Sequence, residues 1–164
     1  MRYQKNQSSI MERVFHMMKT KRNTPAFTFL AWGSFAAAFL GMFIGIYTLE
    51  ETLAVKGYYA VSALYLTMAS FVLQKVVRDN HDDSFTNQKR NTAAFTFMAW
   101  ASFALSLLAM FIGIINLDQP LSVKGYYAMT GLFLTMACFV LQKVVRDNKE
   151  DAGSEETVYD QDHL

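Results

Sequence analysis

The apolar residues of this chain are gathered into four runs that contain no charged side chain. The first run, residues 26–49, is 24 residues long, and the second, residues 57–74, is 18 residues long. Residues 94–117 and 125–142 repeat these two lengths. A helix needs about 17 to 25 apolar residues to cross the hydrocarbon core of a bilayer. The pattern therefore predicts four transmembrane helices in an all-α membrane protein.

Short polar segments, residues 50–56 and 118–124, separate the two runs of each pair, so we expect each pair to form a tight helical hairpin. Strands are a poor alternative because the edges of a lone β-hairpin would be unsatisfied in lipid. The first run is also longer than the apolar core of a secretory signal, which has about 7 to 15 residues. The four runs are thus predicted to be permanent spans.

Lysine and arginine residues are distributed unequally between the two sides of these spans. Six precede the first run, four lie between the two pairs and three follow the last run, whereas only Lys56 and Lys124 lie in the hairpin loops. Cytoplasmic segments of membrane proteins carry the excess of positive side chains. We therefore expect both termini and the central linker to face the cytoplasm.

The chain contains an internal duplication. Residues 21–80 align with residues 89–148 at a constant offset of 68 without a gap, and 42 of the 60 pairs are identical. Each repeat crosses the membrane twice, so the repeats are parallel and a pseudo-two-fold axis along the membrane normal should relate them. The predicted organisation is a cytoplasmic arm over 1–23, repeats over 24–80 and 92–148, a cytoplasmic linker over 81–91 and a tail over 149–164.

Two short motifs recur in both repeats at fixed positions. VKGYY begins at Val55 and Val123, and LQKVVRD begins at Leu73 and Leu141. With these motifs on two-helix units, the chain resembles the YiaA/YiaB family of bacterial inner-membrane proteins, which is defined by the YiaAB two-helix domain. The resemblance leaves both tails unmatched. It implies a protein of the bacterial inner membrane whose function is uncharacterised.

The repeated lysine, glycine and tyrosines form the first candidate site, at the outer end of the second run of each pair. In one interpretation the tyrosine rings anchor the headgroup region, the lysines extend into water, and the glycines let the loop enter the helix. In the other, they line an outward-facing pocket that holds an anionic headgroup or solute. The residues are Lys56, Gly57, Tyr58, Tyr59, Lys124, Gly125, Tyr126 and Tyr127.

A second candidate site lies at the cytoplasmic exit of the second run of each pair. Basic side chains there complement the negative end of the helix dipole and attract anionic lipid. The alternatives are a simple membrane stop with lipid contact and a specific docking site for lipid or a partner. The residues are Gln74, Lys75, Arg78, Asp79, Gln142, Lys143, Arg146 and Asp147.

The first span carries small residues four positions apart, which predicts close packing against another helix. These residues are Gly33, Ala37, Gly41 and Gly45, and the second repeat has Ala101, Leu105, Ala109 and Gly113 at the same positions. Because Leu105 fills part of the second stripe, we expect the two halves not to pack identically.

The two ends of the chain lack the composition of a span. Ser9 and Glu12 form a capping box at the start of an amphipathic pattern, which predicts a helix on the cytoplasmic surface, with a disordered arm as the alternative. Residues 149–164 are acidic and poor in apolar residues, so a disordered tail is predicted.

The sequence lacks the residues on which most membrane enzymes and proton relays depend. No Asp, Glu, Lys, Arg or His lies inside a predicted span, the three histidines are far apart, and the single Cys138 replaces Ser70 of the first repeat. No phosphate loop, nucleophile elbow or nucleic-acid motif is present. We therefore expect no catalysis, cofactor, metal or nucleic acid.

Two function hypotheses follow from these observations. The first is a non-enzymatic membrane protein that associates with itself, with another membrane protein or with anionic lipid, and it predicts a dry, packed interior. The second is an oligomeric small-solute transporter or channel with the Lys-Gly-Tyr-Tyr elements at its outer mouth. It predicts a polar path near Thr67 and Thr135.

Overall fold

The computed structural model describes residues 22–86 and 90–161, with side chains over 22–82 and 90–153, and within these residues it contains helices and no strand. The elements are α1 (Pro25–Thr48), α2 (Leu53–Thr86), α3 (Ala93–Asn116) and α4 (Leu121–Gln161). All four are long and apolar enough to cross a membrane. The predicted fold class is confirmed, whereas the amphipathic helix predicted over 9–20 lies outside the described residues.

The first helix of each repeat begins at a conventional capping residue. The Thr24 hydroxyl accepts a hydrogen bond from the Phe27 amide at 3.2 Å, and Pro25 occupies the first helical position. Thr92 accepts from the Phe95 amide at the same distance. The start of each repeat is therefore fixed by the chemistry of its own sequence.

The helices of one hairpin contact each other less than they contact the other repeat. Helix α1 packs chiefly against α4, α3 packs chiefly against α2, and α2 and α4 lie against each other in the centre. The interhelical loops are short, as predicted, but the tight pairing expected within each hairpin is replaced by pairing between repeats. The reason is side-chain fit, since Ala38 of α1 faces Leu134 and Ala137 of α4.

The second helix of each repeat continues beyond its uncharged, membrane-spanning run. Residues 75–82 of α2 and 143–153 of α4 form charged helical extensions. Helix α4 reaches Gln161, where a disordered tail is predicted, and α2 takes up part of the predicted linker. Ion pairs support the longer α4, because Glu150 pairs with Arg146 one turn earlier and Asp151 pairs with Arg22.

The outer surface of the spans is apolar and the interior is closely packed. Leu66 and Leu134 are completely buried between the helices, and the nearby hydroxyls of Thr67, Ser70 and Thr135 donate to carbonyls of their own helices. Large apolar side chains face outward on all four helices, as expected for a surface in contact with lipid. They include Phe29, Leu40, Ile44, Val61, Met68, Phe97, Leu108, Ile115, Met129 and Met136.

Candidate functional site

Two of the repeated tyrosines lie between the central helices. Tyr59 of α2 and Tyr127 of α4 are each 1% exposed. Their rings stack with centroids 5.3 Å apart and an angle of 25° between their planes. These rings therefore join the repeats in the interior instead of anchoring the headgroup region, as the first interpretation had it.

The other two tyrosines cross to the first helix of the opposite repeat. The Tyr126 hydroxyl donates to the Gly41 carbonyl, and the Tyr58 hydroxyl donates to the Ala109 carbonyl, each at 2.5 Å. A Cβ atom on Gly45 would lie 2.5 Å from Cε1 of Tyr126, and a Cβ on Gly113 would lie 2.5 Å from Cε1 of Tyr58. Glycine is required at these two positions because a ring packs directly on the backbone.

The predicted small-residue stripe contributes to this packing only at one end. Gly33 and Ala37 are exposed, and a Cβ on Gly33 would meet nothing. Leu105, which fills the second stripe, is 59% exposed and points away from the core. The contacts of Tyr58 and Tyr126 are repeated reciprocally at an offset of 68, so the expected difference between the halves is absent there. It is present at the stacked pair, where, within the described part of the chain, only Tyr127 bonds to a carbonyl of the opposite repeat.

The two hairpin-loop lysines bond to the ends of the preceding helices. Nζ of Lys56 donates to the Tyr47 carbonyl, and Nζ of Lys124 donates to the Ile115 carbonyl, both at 3.1 Å. These carbonyls belong to the last turns of α1 and α3, where helices leave acceptors unsatisfied. Gly57 and Gly125 lie inside α2 and α4, so their predicted role at the entry from loop to helix is wrong.

An open cavity of about 490 Å³ lies between α1 and the start of α4, at the end of the bundle that carries the hairpin loops. We call this the hairpin end. Glu50 is the charged residue of the lining, and neither loop lysine belongs to it. The electrostatics do not favour the predicted anionic ligand. The lining residues are Ile44, Gly45, Thr48, Leu49, Glu50, Gln119, Ser122, Val123, Tyr126 and Tyr127.

At the opposite end, arginine and aspartate side chains connect the repeats reciprocally. Arg78 of α2 donates to Asp147 of α4, and Arg146 of α4 donates to Asp79 of α2, each at 2.8 Å. Each aspartate also accepts from the lysine one turn earlier, Lys75 at 2.6 Å and Lys143 at 2.7 Å. The sequence predicts the lysine pairs from their spacing, but the contacts between repeats depend on the tertiary fold.

Further charges extend this network. Arg146 also contacts Asp82 at 2.5 Å and Glu150 at 3.0 Å, and Arg22 contacts Glu150 at 2.8 Å. Together these residues form what we call the charged cluster, with five cations and five anions. Its members are Arg22, Lys75, Arg78, Asp79, Asp82, Lys143, Arg146, Asp147, Glu150 and Asp151.

The two aspartates at the centre of the charged cluster are nearly inaccessible, with side chains 8% and 3% exposed. Burial alone would raise the pKa of Asp79, but hydrogen bonds from Lys75 and Arg146 outweigh it and lower the pKa below 3.8. The pKa of Asp147 is lowered in the same way by Lys143 and Arg78. Both side chains are therefore charged at neutral pH.

The second candidate site is thus brought together, but its basic side chains face acids of this chain. Gln74 and Gln142 lie half-buried at the border of the spans and outside these ion pairs. Sequence reasoning missed four members of the charged cluster: Arg22, Asp82, Glu150 and Asp151. A signal was present, because positions 82 and 150 are equivalent in the repeats and both are acidic.

Comparisons with known proteins agree with the duplicated architecture. The yiaA/B two helix domain matches twice, over residues 27–79 and 95–147. The inner membrane protein YiaA of Escherichia coli is 25% identical over 129 residues, 79% of this chain and 86% of the relative. The uncharacterized membrane protein YubF of Bacillus subtilis is 38% identical over 65 residues, 39% of this chain and 75% of the relative. No solved structure matches.

Proposed function

This chain is an integral membrane protein that belongs to the yiaA/B two helix domain family, and on that premise we propose that it acts by association and not by catalysis. Its partner is a second copy, another membrane protein or lipid. We place it in the bacterial inner membrane with both termini in the cytoplasm. The distribution of lysine and arginine supports this orientation, with 13 on the terminal and linker side and two in the hairpin loops.

The observation that carries this proposal is the packing between the central helices. The hydroxyls of Thr67 and Thr135 donate to carbonyls of their own helices, at 2.8 Å and 2.9 Å. Leu66 and Leu134 are completely buried beside them. A solute route through one bundle would need polar groups that face a water-filled path. The close packing of the described interior supports the association hypothesis.

The pairing of the repeats supports association between two-helix units. The match to the Bacillus subtilis relative is 65 residues long, about one repeat, and it covers 75% of that protein. In this chain the exchange of tyrosines and of arginine–aspartate pairs joins one such unit to another. We infer that pairing of two-helix units is the basic mode of assembly of this protein.

Native mass spectrometry of the full chain, extracted from its own membrane in nanodiscs, tests the proposal. We expect a complex of fixed stoichiometry with a protein or lipid, and no solute or ion flux above that of empty vesicles in proteoliposomes. The Lys56→Ala/Lys124→Ala variant should insert normally. A bare single chain that conducts a solute would contradict association and favour the transporter.

A further inference from the structure

The cavity at the hairpin end is asymmetric with respect to the duplication. Its lining includes Thr48, Gln119 and Ser122, whereas the equivalent positions on the other side carry Asn116, Glu51 and Ala54. The loops are among the parts of the repeats that have diverged most, while the tyrosines behind them are identical. The cavity therefore lies where this chain departs from its own internal symmetry.

Three polar side chains at the cavity have an oxygen that can accept a hydrogen bond. Glu50 has an exposed carboxylate and forms no hydrogen bond or ion pair within the described part of the chain. The Thr48 hydroxyl donates to the Ile44 carbonyl at 2.9 Å, so its oxygen can accept. The side-chain nitrogen of Gln119 donates to Glu51 at 3.3 Å, which leaves the amide oxygen as an acceptor and one N–H as a donor.

An aromatic ring completes the lining. Tyr126 is 43% exposed, and its ring is held in place by the hydrogen bond from its hydroxyl to the Gly41 carbonyl. Aromatic rings attract ammonium groups through their negative faces. A ring beside a carboxylate is a combination suited to an organic cation and not to an anion.

The two loop lysines do not belong to the lining of the cavity. Lys56 and Lys124 are the basic residues of the two loops, and their Nζ atoms bond to carbonyls of α1 and α3. Neither lines the cavity. The lining thus has one negative charge and no cationic side chain, which favours a cationic ligand.

We propose that this cavity binds a primary ammonium group, supplied by the headgroup of phosphatidylethanolamine or by a free alkylamine. Three N–H donors can be shared among the Glu50 carboxylate, Gln119 and Thr48. The apolar part of the lining, with Ile44, Leu49 and Val123, suits the glycerol and acyl end of a lipid. This binding specifies the lipid alternative of the association proposed above and rests on it, whereas a complex with a second copy or another membrane protein would support that association even if no amine is retained here.

The test is native mass spectrometry of the full chain in nanodiscs that contain equal amounts of phosphatidylethanolamine and phosphatidylglycerol. We expect one retained phosphatidylethanolamine in the wild type and at least about a tenfold weaker retention in Glu50→Gln, because a charged hydrogen bond is lost. Asp118→Asn is the matched control, since Asp118 is the repeat equivalent of Glu50 and lies outside the lining. It should retain the lipid like the wild type.

Two further experiments test whether the amine must belong to a lipid and whether binding depends on the charge of the lining. Free ethanolamine, added to nanodiscs of phosphatidylglycerol alone, should bind if the amine suffices and leave no adduct if the lipid is required. Ser122→Lys places a competing cation in the lining without altering Glu50, and it should also reduce retention. Equal retention of phosphatidylethanolamine in all variants, or preference for phosphatidylglycerol in the wild type, would overturn the proposal.

Discussion

The two repeats are joined at the hairpin end and at the opposite end of the bundle, which carries the charged cluster and which we call the charged end. The two ends use different interactions. At the hairpin end Tyr126 packs on Gly45 and donates to Gly41, and at the charged end Arg146 bonds to Asp79. Each contact has its reciprocal partner 68 residues away. The tyrosine contacts depend on the shape of the helices within the spans, and the arginine–aspartate pairs depend on charge beyond the spans.

The difference follows from the surroundings of each joint. Within lipid there is no hydrophobic force between helices, so close contact and hydrogen bonds to backbone carbonyls provide the attraction. Beyond the uncharged runs, ion pairs form without the cost of placing a charge in the hydrocarbon core. The chain thus fastens its two repeats at both ends of the bundle, and the following experiments weaken one end at a time.

Acidification should have the largest effect, and it should act at the charged end. Since the folded pKa values of Asp79 and Asp147 are lowered, their stabilisation is complete above the ordinary value of 3.8 and is lost as pH falls through the lowered values. The free energy of unfolding, measured in mixed micelles, should drop in that range.

The Asp79→Asn/Asp147→Asn variant is the control for this pH dependence. It should be less stable than the wild type at pH 7, and the difference should shrink towards zero below pH 3.8. A constant difference across this range would mean that the two carboxylates contribute through shape and not through charge.

Arg146→Gln tests one of the two arginine–aspartate pairs between the repeats. Removing one partner of a buried ion pair costs about 3–5 kcal/mol, and we expect about 2–3 kcal/mol because Asp79 keeps Lys75 and Arg146 is 20% exposed. Lys143→Gln is the comparison, because that lysine is 54% exposed and should matter by less than about 1 kcal/mol. Equal losses in unfolding free energy would show that the bonds between repeats add nothing.

Gly45→Ala tests the packing of Tyr126 on the first helix at the hairpin end. The new Cβ would lie 2.5 Å from the Tyr126 ring, so the ring or the helix must shift, at a cost of about 1–3 kcal/mol. Gly33→Ala adds the same methyl group where nothing lies within 4 Å and should not destabilise. Tyr126→Leu, which removes the ring, should make Gly45→Ala tolerable. If Gly33→Ala and Gly45→Ala unfold alike, the ring contact is not the cause.

Sequence patterns predict the spans and the duplication well because both are properties of the chain read in order. Uncharged runs mark the helices, and the offset of 68 implies parallel repeats. The pairing of helices is not contained in these patterns. A glycine four residues from another indicates close approach, but whether Gly45 or Gly33 is used depends on which residue of α4 comes opposite.

The surroundings of the candidate site residues differ from the predicted ones for the same reason. An interfacial composition gives Tyr59 and Tyr127 the features of headgroup anchors, and only the position of the second repeat brings their rings together. Likewise, Arg78 and Arg146 have the features of lipid-binding residues until the acids of the other repeat are placed beside them.

The smallest predicted effect separates the two members of the tyrosine stack. The Tyr127 hydroxyl donates to the Gly45 carbonyl at 2.6 Å, whereas the Tyr59 hydroxyl forms no hydrogen bond within the described residues. Tyr127→Phe should therefore cost about 1 kcal/mol of unfolding free energy, and Tyr59→Phe should cost nothing or stabilise slightly, because a buried hydroxyl without a partner is unfavourable. Both changes preserve the stacked rings, so the comparison isolates one hydrogen bond. Identical values would mean that the repeats are more symmetric at this end than their hydrogen bonds indicate, and that ring packing alone holds the joint.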